Sequence, residues 1–534
     1  MSLYGYWMEF AQKKHFCAAH FCNKCAILEK TTYICTRFCV VKHNRIITSF
    51  IYMAKKVLLG AALLMASNLA FAGGLLTNTN QNAAFLRNPS RDAVIAIDGV
   101  CSNPAGIAYL PEGFHLSLSW QGAWQKRQIT SSSPLYQLGT MNNGASEKFF
   151  EGVSKAPVIP SFQAAYVFND KWSVSAQFAV GGGGGECKFD NGLPMFEQMV
   201  AGQMANAIAP GKPYSMTQNL VGEQYFYGLQ VGATYKIMEH LSVFAGVRGV
   251  LANCGYTGAI TGITVDGNNA AYYSNLSQMA AAGAQQAAAG AEAAMAAGNA
   301  TLAQQLAAQA EGLKNSAVQA GTAAAMMSDY QLDCSQEGLG ITPILGVDFN
   351  YGKWNVAAKY EFRTKINLEN ESNNSANVDA LMPEYADGAK VRSDVPALLT
   401  LGVQYSVLPT LRVNGGYHQY FDKDAKGNPT AVSKNTYEFS VGAEWDITDR
   451  FLASFGVQRT KYGFDDEDMK NTTFNISSVA LGIGGAIRLS EVLKLNIAYF
   501  HSFYEDHEVP NAVAGTDLYT RKNDVVGVSL DFKF

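Results

Sequence analysis

The chain alternates apolar and polar residues in runs of about ten, and this pattern restricts its fold more than any other feature. The last run shows the pattern most clearly, because Val526, Val528, Leu530, Phe532 and Phe534 alternate with small or polar residues. A strand with a period of two presents one face to an apolar environment and the other to a polar one. The pattern predicts about fourteen strands, at residues 114–129, 158–168, 171–182, 222–237, 240–254, 338–351, 353–366, 395–407, 409–422, 436–447, 450–462, 474–488, 493–504 and 520–534.

The connections between these runs are alternately short and long, which is typical of a transmembrane β-barrel. The short connections are Asn169-Asp170, Met238-Glu239, Gly352, Leu408-Pro409, Thr448-Asp449 and Ser490-Glu491. A soluble all-β protein is the alternative, and it would bury its apolar face in a core. In hydrocarbon only a closed sheet leaves no strand edge unpaired. We therefore predict an all-β fold, a 14-stranded antiparallel transmembrane β-barrel over residues 113–534.

An export signal precedes the barrel. Lys55 and Lys56 are followed by an apolar run at 57–66 and by Ala70-Phe71-Ala72, the pattern of a secretory signal peptide and its cleavage site. The sequence predicts a signal peptide at 53–72 and a mature chain that begins at Gly73.

Residues 1–52 precede this signal and contain Cys17, Cys22, Cys25, Cys35 and Cys39. Their spacing is loosely compatible with a zinc site. A start codon assigned too early, with Met53 as the initiator, is the interpretation we favour, because a zinc module ahead of an export signal would be discarded.

Four cysteines remain in the exported chain: Cys101, Cys187, Cys254 and Cys334. An oxidising compartment permits disulfides, and four cysteines allow three pairings. Cys254 and Cys334 flank one long insertion, so we predict a disulfide at its base, with free thiols as the alternative.

That insertion, residues 270–327, is rich in alanine and glutamine. Alanine at this density favours helix, and Gly298-Asn299 offers a break between two helices. We predict an extracellular helical hairpin on an outer loop, with a lid or docking surface as the functional alternative. The net charge of −4 is too small to indicate a nucleic-acid partner.

The segment before the first strand contains Asn103-Pro104-Ala105 within Arg91–Gly106. Together with the signal, the strand count and the terminal Phe534, it resembles the FadL/TodX family of outer-membrane transporters for long-chain fatty acids and other hydrophobic compounds. The resemblance implies that residues 73–112 form an N-terminal hatch, or plug, inside the barrel, and that Asn103, Pro104 and Ala105 are its motif. Pro104 also fixes φ and has no N–H donor, which favours irregular backbone there.

Two further features gain a role from this resemblance. The family's third strand kinks and opens a lateral gap, and the resemblance places this kink at a run of five glycines: Gly181, Gly182, Gly183, Gly184 and Gly185. A flexible start to a loop explains the run equally well.

The following loop is unusually apolar for a segment exposed to water, and in the family it helps to form the groove where ligand first binds. Its candidate ligand-binding residues are Phe189, Leu193, Met195, Phe196, Met199 and Val200. A helix that packs against its own loop neighbours is the alternative.

The resemblance thus implies a monomeric channel of the Gram-negative outer membrane that takes up a long-chain fatty acid or other hydrophobic ligand passively and releases it into membrane lipid near strand 3. It implies no enzyme activity, cofactor or metal. The alternative function is a surface interaction or adhesion protein, in which the barrel is an anchor and residues 270–327 bind a partner.

Overall fold

The computed structural model describes residues 76–427 and 432–534. Residues 1–52, the predicted signal peptide and the predicted mature start at Gly73 lie outside the described residues. The predictions made for them therefore stay predictions.

Fourteen long antiparallel strands form the wall, each hydrogen-bonded to the next, and the first pairs with the last to close a barrel. The wall strands are β1 Gly113–Ser132, β2 Glu147–Val167, β3 Trp172–Phe189, β4 Tyr214–Met238, β5 Leu241–Val265, β6 Tyr330–Tyr351, β7 Trp354–Glu361, β8 Leu398–Leu408, β9 Leu411–Tyr420, β10 Tyr437–Asp446, β11 Phe451–Lys461, β12 Ser478–Arg488, β13 Leu493–Tyr504 and β14 Thr516–Lys533. The predicted strand number and order are confirmed.

The barrel has a short-turn end and a long-loop end, as predicted. The long loops contain the short strands Asn268–Asn269, Asn367–Ser372, Lys390–Arg392 and His507–Pro510. The helices are α1 Ala83–Arg87, α2 Gly99–Ser102, α3 Pro194–Gln198, α4 Asn206–Ile208, α5 Ala270–Ala296, α6 Ala300–Met326 and α7 Ala376–Leu381. A π-helix spans Met199–Ala205, and 3-10 helices span Pro104–Tyr109, Pro134–Leu138, Thr140–Asn142, Pro383–Tyr385, Asp422–Asp424 and Asp466–Asp468. Within the described ranges, no helix combines the length and the apolar character needed to cross a bilayer.

The wall is apolar outside and polar inside. On β10, Phe439 and Val441 point outward and are 55% and 63% exposed, whereas Glu438 and Ser440 point inward and are buried. Aromatic pairs such as Trp172–Tyr235 lie beside the short turns, where a membrane barrel has an aromatic girdle. The soluble alternative is wrong, because its apolar face would be the buried one.

The Ala-rich insertion forms two antiparallel helices, α5 and α6, of 27 residues each. Gly298 has φ +77° and ends the first helix, and the Asn299 side chain accepts the N-terminal N–H of Leu302 in the second. The predicted helical hairpin and its break are confirmed. Its role as a lid or docking surface stays a prediction.

Residues 76–112 lie inside the barrel. Helix α1 packs against β12, β13 and β14, and the 3-10 helix Pro104–Tyr109 packs against β4, β5 and β6. Irregular backbone at membrane depth is tolerated where protein surrounds it, and the inward polar side chains supply its hydrogen-bond partners. The hatch of the predicted fold is therefore present in its described part.

The predicted disulfide is not formed, and Cys254 and Cys334 are buried free thiols. In the register of β5 and β6, Cys254 lies opposite Gln336 and Cys334 lies opposite Tyr256. The two cysteines are therefore diagonal neighbours, and such pairs stand roughly 7–8 Å apart. A disulfide requires Cα atoms within about 4.4–6.8 Å. This two-residue stagger between the cysteines, which the sequence does not reveal, is the reason why the predicted disulfide is absent.

Candidate functional site

The wall is interrupted between β2 and β3. Ser154 pairs with Cys187 and Phe162 pairs with Phe178, but the register breaks between these two points. We call this interval, residues 155–161 of β2 and 179–186 of β3, the β2–β3 gap. On its other side β3 stays paired with β4, with irregularities at Val180/Gly182 and Gly183/Gly185. Bulges bend a strand, so the glycine run coincides with the bend.

The glycines are needed at this bend. Gly183 and Gly185 have φ +67° and +116°, values that residues with a Cβ rarely adopt. A Cβ on Gly182 would lie 2.1 Å from the carbonyl oxygen of Leu76 in the hatch. The glycine run therefore meets two needs: positive φ in the bent strand and close approach of the hatch backbone to the wall.

The first described residues of the hatch cover the gap, and we call residues 76–82 the hatch tip. The backbone N–H of Asn78 donates to the Gly181 carbonyl at 2.9 Å. The Asn78 side chain donates to the carbonyls of Val180 and Gly183 at 2.9 and 2.8 Å. Gln81 donates to the Val180 carbonyl and accepts its N–H. The hatch tip thus satisfies backbone groups of the bent β3.

The rest of the hatch, residues 83–112, is the hatch body, and buried charges hold it to the opposite wall. Arg87 donates to Glu444 of β10 at 2.8 Å, and Arg91 bonds both Glu444 and Asp98. These side chains are at most 3% exposed. Removing one member of such a buried pair costs about 3–5 kcal/mol, so buried charges fix the body to the wall, whereas residues 76–82 carry no charged side chain.

The predicted hatch motif lies in this body. The Asn103 side chain donates to Asp348 at 2.5 Å and accepts the Gly106 N–H. The carbonyls of Pro104 and Ala105 accept the hydroxyls of Thr234 and Ser242 at 2.9 and 2.8 Å. The motif therefore joins irregular backbone to β4, β5 and β6.

The apolar loop after β3 is buried, which corrects the expectation of an exposed patch. Five of the predicted residues are at most 5% exposed, and Met195 packs against them: Phe189, Leu193, Phe196, Met199 and Val200. They belong to an apolar core at the long-loop end that also contains Leu76, Ile129, Phe150, Phe474 and Tyr519. We call it the mouth cluster. The packing alternative describes the loop in this structure, and the loop adjoins the hatch tip through Leu76.

Glu197 fixes this loop and was not among the predicted site residues. Its carboxylate accepts from Lys148 at 2.5 Å, from Asn142 at 2.6 Å and from Tyr214 at 2.9 Å. The available signal was a charged residue within an otherwise apolar loop. Glu444 was not predicted either, and its signal was a carboxylate at an inward position of an alternating strand.

The space between hatch and wall is small and polar. A cavity of about 40 Å³ is lined by Asn78 and Asp92 of the hatch and by Arg248, Lys359 and Glu361 of the wall, among others. A water molecule needs roughly 10–15 Å³ on this scale, so the cavity holds a few waters and no acyl chain. A larger molecule does not fit in this cavity.

This architecture is similar to that of known channels. A Pseudomonas aeruginosa FadL homologue matches at 12% identity over 86% of this chain and 100% of its own, with a TM-score of 0.56. The toluene transporter TodX of P. putida matches at 12% identity over 82% of this chain and 94% of its own, with a TM-score of 0.50. A TodX mutant described as a monoaromatic hydrocarbon channel matches at 13% identity, covering 85% and 99%, with a TM-score of 0.52.

The chain has the fold of the FadL-type channels. No family model and no curated protein matches the sequence. The resemblance inferred from the hatch motif and strand pattern is thus confirmed at the level of fold. So is the prediction of an outer-membrane β-barrel.

Proposed function

We propose that this protein is a passive channel for long-chain fatty acids or other hydrophobic molecules, which leave the barrel sideways through the β2–β3 gap. The interrupted pairing of β2 and β3, covered by the hatch tip, is the observation that supports this proposal most. In this proposal the tip withdraws and the body stays in place, and the ligand enters the surrounding lipid. The channel works as a monomer and uses no cofactor.

The distribution of apolar surface supports a sideways route. Each buried methylene contributes about 0.8 kcal/mol, so an acyl chain avoids a polar bore. The bore around the hatch body carries ion pairs, whereas the mouth cluster is apolar. Leu76 belongs to both the mouth cluster and the hatch tip, so a ligand in the cluster would contact the element that covers the gap.

The structural neighbours agree with a hydrophobic cargo. One is a FadL homologue and another is a toluene transporter. Because the likeness is one of fold, the cargo of this protein is part of the proposal.

A reversible tether tests the proposal. Asn78 and Gly181 are hydrogen-bonded neighbours, but a Cβ on Gly181 would meet only the Phe226 carbonyl oxygen within 4 Å, so a spacer is needed to join side chains at the two positions. In a mature chain without its native cysteines, Asn78→Cys and Gly181→Cys can be joined by a bis-maleimide whose spacer contains a disulfide, which holds the tip over the gap. We expect the crosslinked protein in liposomes to lose uptake of radiolabelled palmitate, and reduction of the spacer to restore it.

A second tether is the matched control. A Cβ on Gly346 would lie 3.7 Å from that of Ala105, close to the usual separation in disulfides. Ala105→Cys with Gly346→Cys therefore ties the hatch body to β6. We expect palmitate uptake to survive this tether. Loss of uptake in the control with normal uptake in the tip tether would show that the body is the moving part, and would contradict the proposal.

A further inference from the structure

The wall is also interrupted where the chain leaves β7. Strand β6 pairs with β7 only up to Ile344, and its ladder resumes at Glu337 with the short strand Asn367–Ser372. In the described structure, no ladder pair joins residues 338–343 of β6 to the chain that leaves β7. We call that chain, residues 362–366, the crossing segment, and the interval between it and β6 the β6–β7 seam.

The crossing segment makes most of its backbone hydrogen bonds to another part of the chain. The Phe362 N–H still donates to a carbonyl of β6 at 3.0 Å. Beyond it, Thr364 exchanges two backbone bonds of 3.0 Å with Val395. The Ile366 carbonyl accepts the N–H of Ser393, also at 3.0 Å. The crossing segment is therefore held by the chain that leads into β8, and not by the ladder of β6.

The crossing segment overlaps the inner face of β6. Alternation turns Leu339 and Ile341 outward, where they are 75% and 66% exposed, and turns Gly340 and the buried Thr342 inward. A Cβ on Gly340 would lie 2.5 Å from the methyl carbon of Thr364, so this glycine gives the segment its room. The Thr342 and Thr364 hydroxyls share a hydrogen bond across the seam. The two sides of the wall thus overlap without a β-ladder between them.

The β6–β7 seam lies level with the β2–β3 gap and shares a cavity with it. Ladder pairs connect Val180 of β3 through β4 and β5 to Leu339 of β6. A cavity of about 20 Å³ is lined by Thr77 of the hatch tip and Gly181, and also by Thr364 of the crossing segment, among others. Such a space holds about one water molecule. The hatch tip therefore borders both interruptions of the wall.

We propose that the β6–β7 seam is a second lateral opening, through which a hydrophobic molecule enters the surrounding lipid once the hatch tip has withdrawn. Two strands joined by a ladder must lose backbone bonds to separate, and hydrocarbon offers these groups no other partner. The crossing segment already bonds residues 393–395, so it can move away from residues 338–342 of β6 without loss of ladder bonds. This inference rests on the proposed function and adds a second exit to it.

A disulfide across the seam tests this inference. The Thr342 and Thr364 hydroxyls are hydrogen-bonded to each other, so the sulfurs of Thr342→Cys and Thr364→Cys should lie within reach of a disulfide in a mature chain without its native cysteines. We expect the oxidised protein in liposomes to lose part of its palmitate uptake, because one of two exits is closed, and reduction to restore the rate. Heat-modifiable gel mobility checks that the variant folds.

Thr217→Cys with Thr261→Cys is the matched control. The two hydroxyls are hydrogen-bonded at 2.7 Å, but this pair lies in the ladder between β4 and β5. We expect its disulfide to leave palmitate uptake unchanged. If the seam cysteines do not oxidise, Gly340→Ala decides instead, because its Cβ would displace Thr364 and should raise uptake.

Unchanged uptake in the oxidised seam variant would overturn the second opening and leave the β2–β3 gap as the exit. Complete loss of uptake on seam oxidation, with the control unaffected, would make the seam the only exit and would contradict the route through the gap. Absence of palmitate uptake by the untethered protein would overturn both proposals.

Discussion

At Gly182 the lack of a side chain lets the hatch touch the wall. The carbonyl of Leu76 occupies the position that a Cβ would take. The neighbouring Gly181 has no such constraint, since its Cβ would meet only the Phe226 carbonyl oxygen at ordinary contact distance. A side chain at Gly182 would therefore displace the hatch tip, whereas a side chain at Gly181 would not.

This difference predicts the effect of one methyl group. Gly182→Ala should push Leu76 away and free the hatch tip, so we expect faster palmitate uptake into liposomes with unchanged barrel mobility on gels. Gly181→Ala should leave the uptake rate at the wild-type level. Equal rates in the two variants would show that the close approach of Leu76 does not restrain the tip.

Helices α5 and α6 pack mainly against each other and make few contacts with the rest of the protein. Ala280, Ala287 and Ala294 are buried at seven-residue intervals, and a Cβ on Gly283 would lie 3.3 Å from the side chain of Leu313. Small residues let the two helices approach closely, so the hairpin holds itself together. Strands β5 and β6 pair up to Ile260 and Tyr330 beneath it.

Removal of the hairpin separates the two functions considered from the sequence. We expect a variant that replaces residues 270–327 with a short Gly-Asn turn to fold and to transport palmitate at the wild-type rate, because the gap and hatch tip are untouched. Lost uptake by a folded variant would make the hairpin a lid. Lost adhesion of intact cells, with uptake retained, would support the surface-interaction alternative.

For the whole molecule, closure of the cylinder depends on β1 and β14. Their register runs from His115↔Lys533 to Ser131↔Asp517, and Phe534 continues it through hydrogen bonds with Phe114 at 2.8 and 3.2 Å. The Phe534 ring also stacks with that of Phe114 at 6.2 Å. An unclosed sheet in hydrocarbon leaves backbone groups unpaired, each at a cost of several kcal/mol.

Deletion of Phe534 should therefore lower the yield of folded barrel, measured as the heat-modifiable fraction after expression and membrane extraction. Phe534→Tyr keeps the ring and the backbone bonds, and we expect it to fold at the wild-type yield. Wild-type yield after the deletion would mean that the remaining register closes the barrel without the last residue.

The alternation of side chains by itself determined the strands, the strand number and the two kinds of connection. The density of alanine determined the helical hairpin. Both patterns act locally, between residues that are close in the chain. Only the tertiary structure decided which distant groups meet: the hatch tip on Gly181 and the stagger that keeps Cys254 and Cys334 apart. These depend on register, bulges and closure, and a change of one or two residues in register moves a side chain to another face or another partner. Local pattern carries no such information, so the gap became visible only once the barrel was closed.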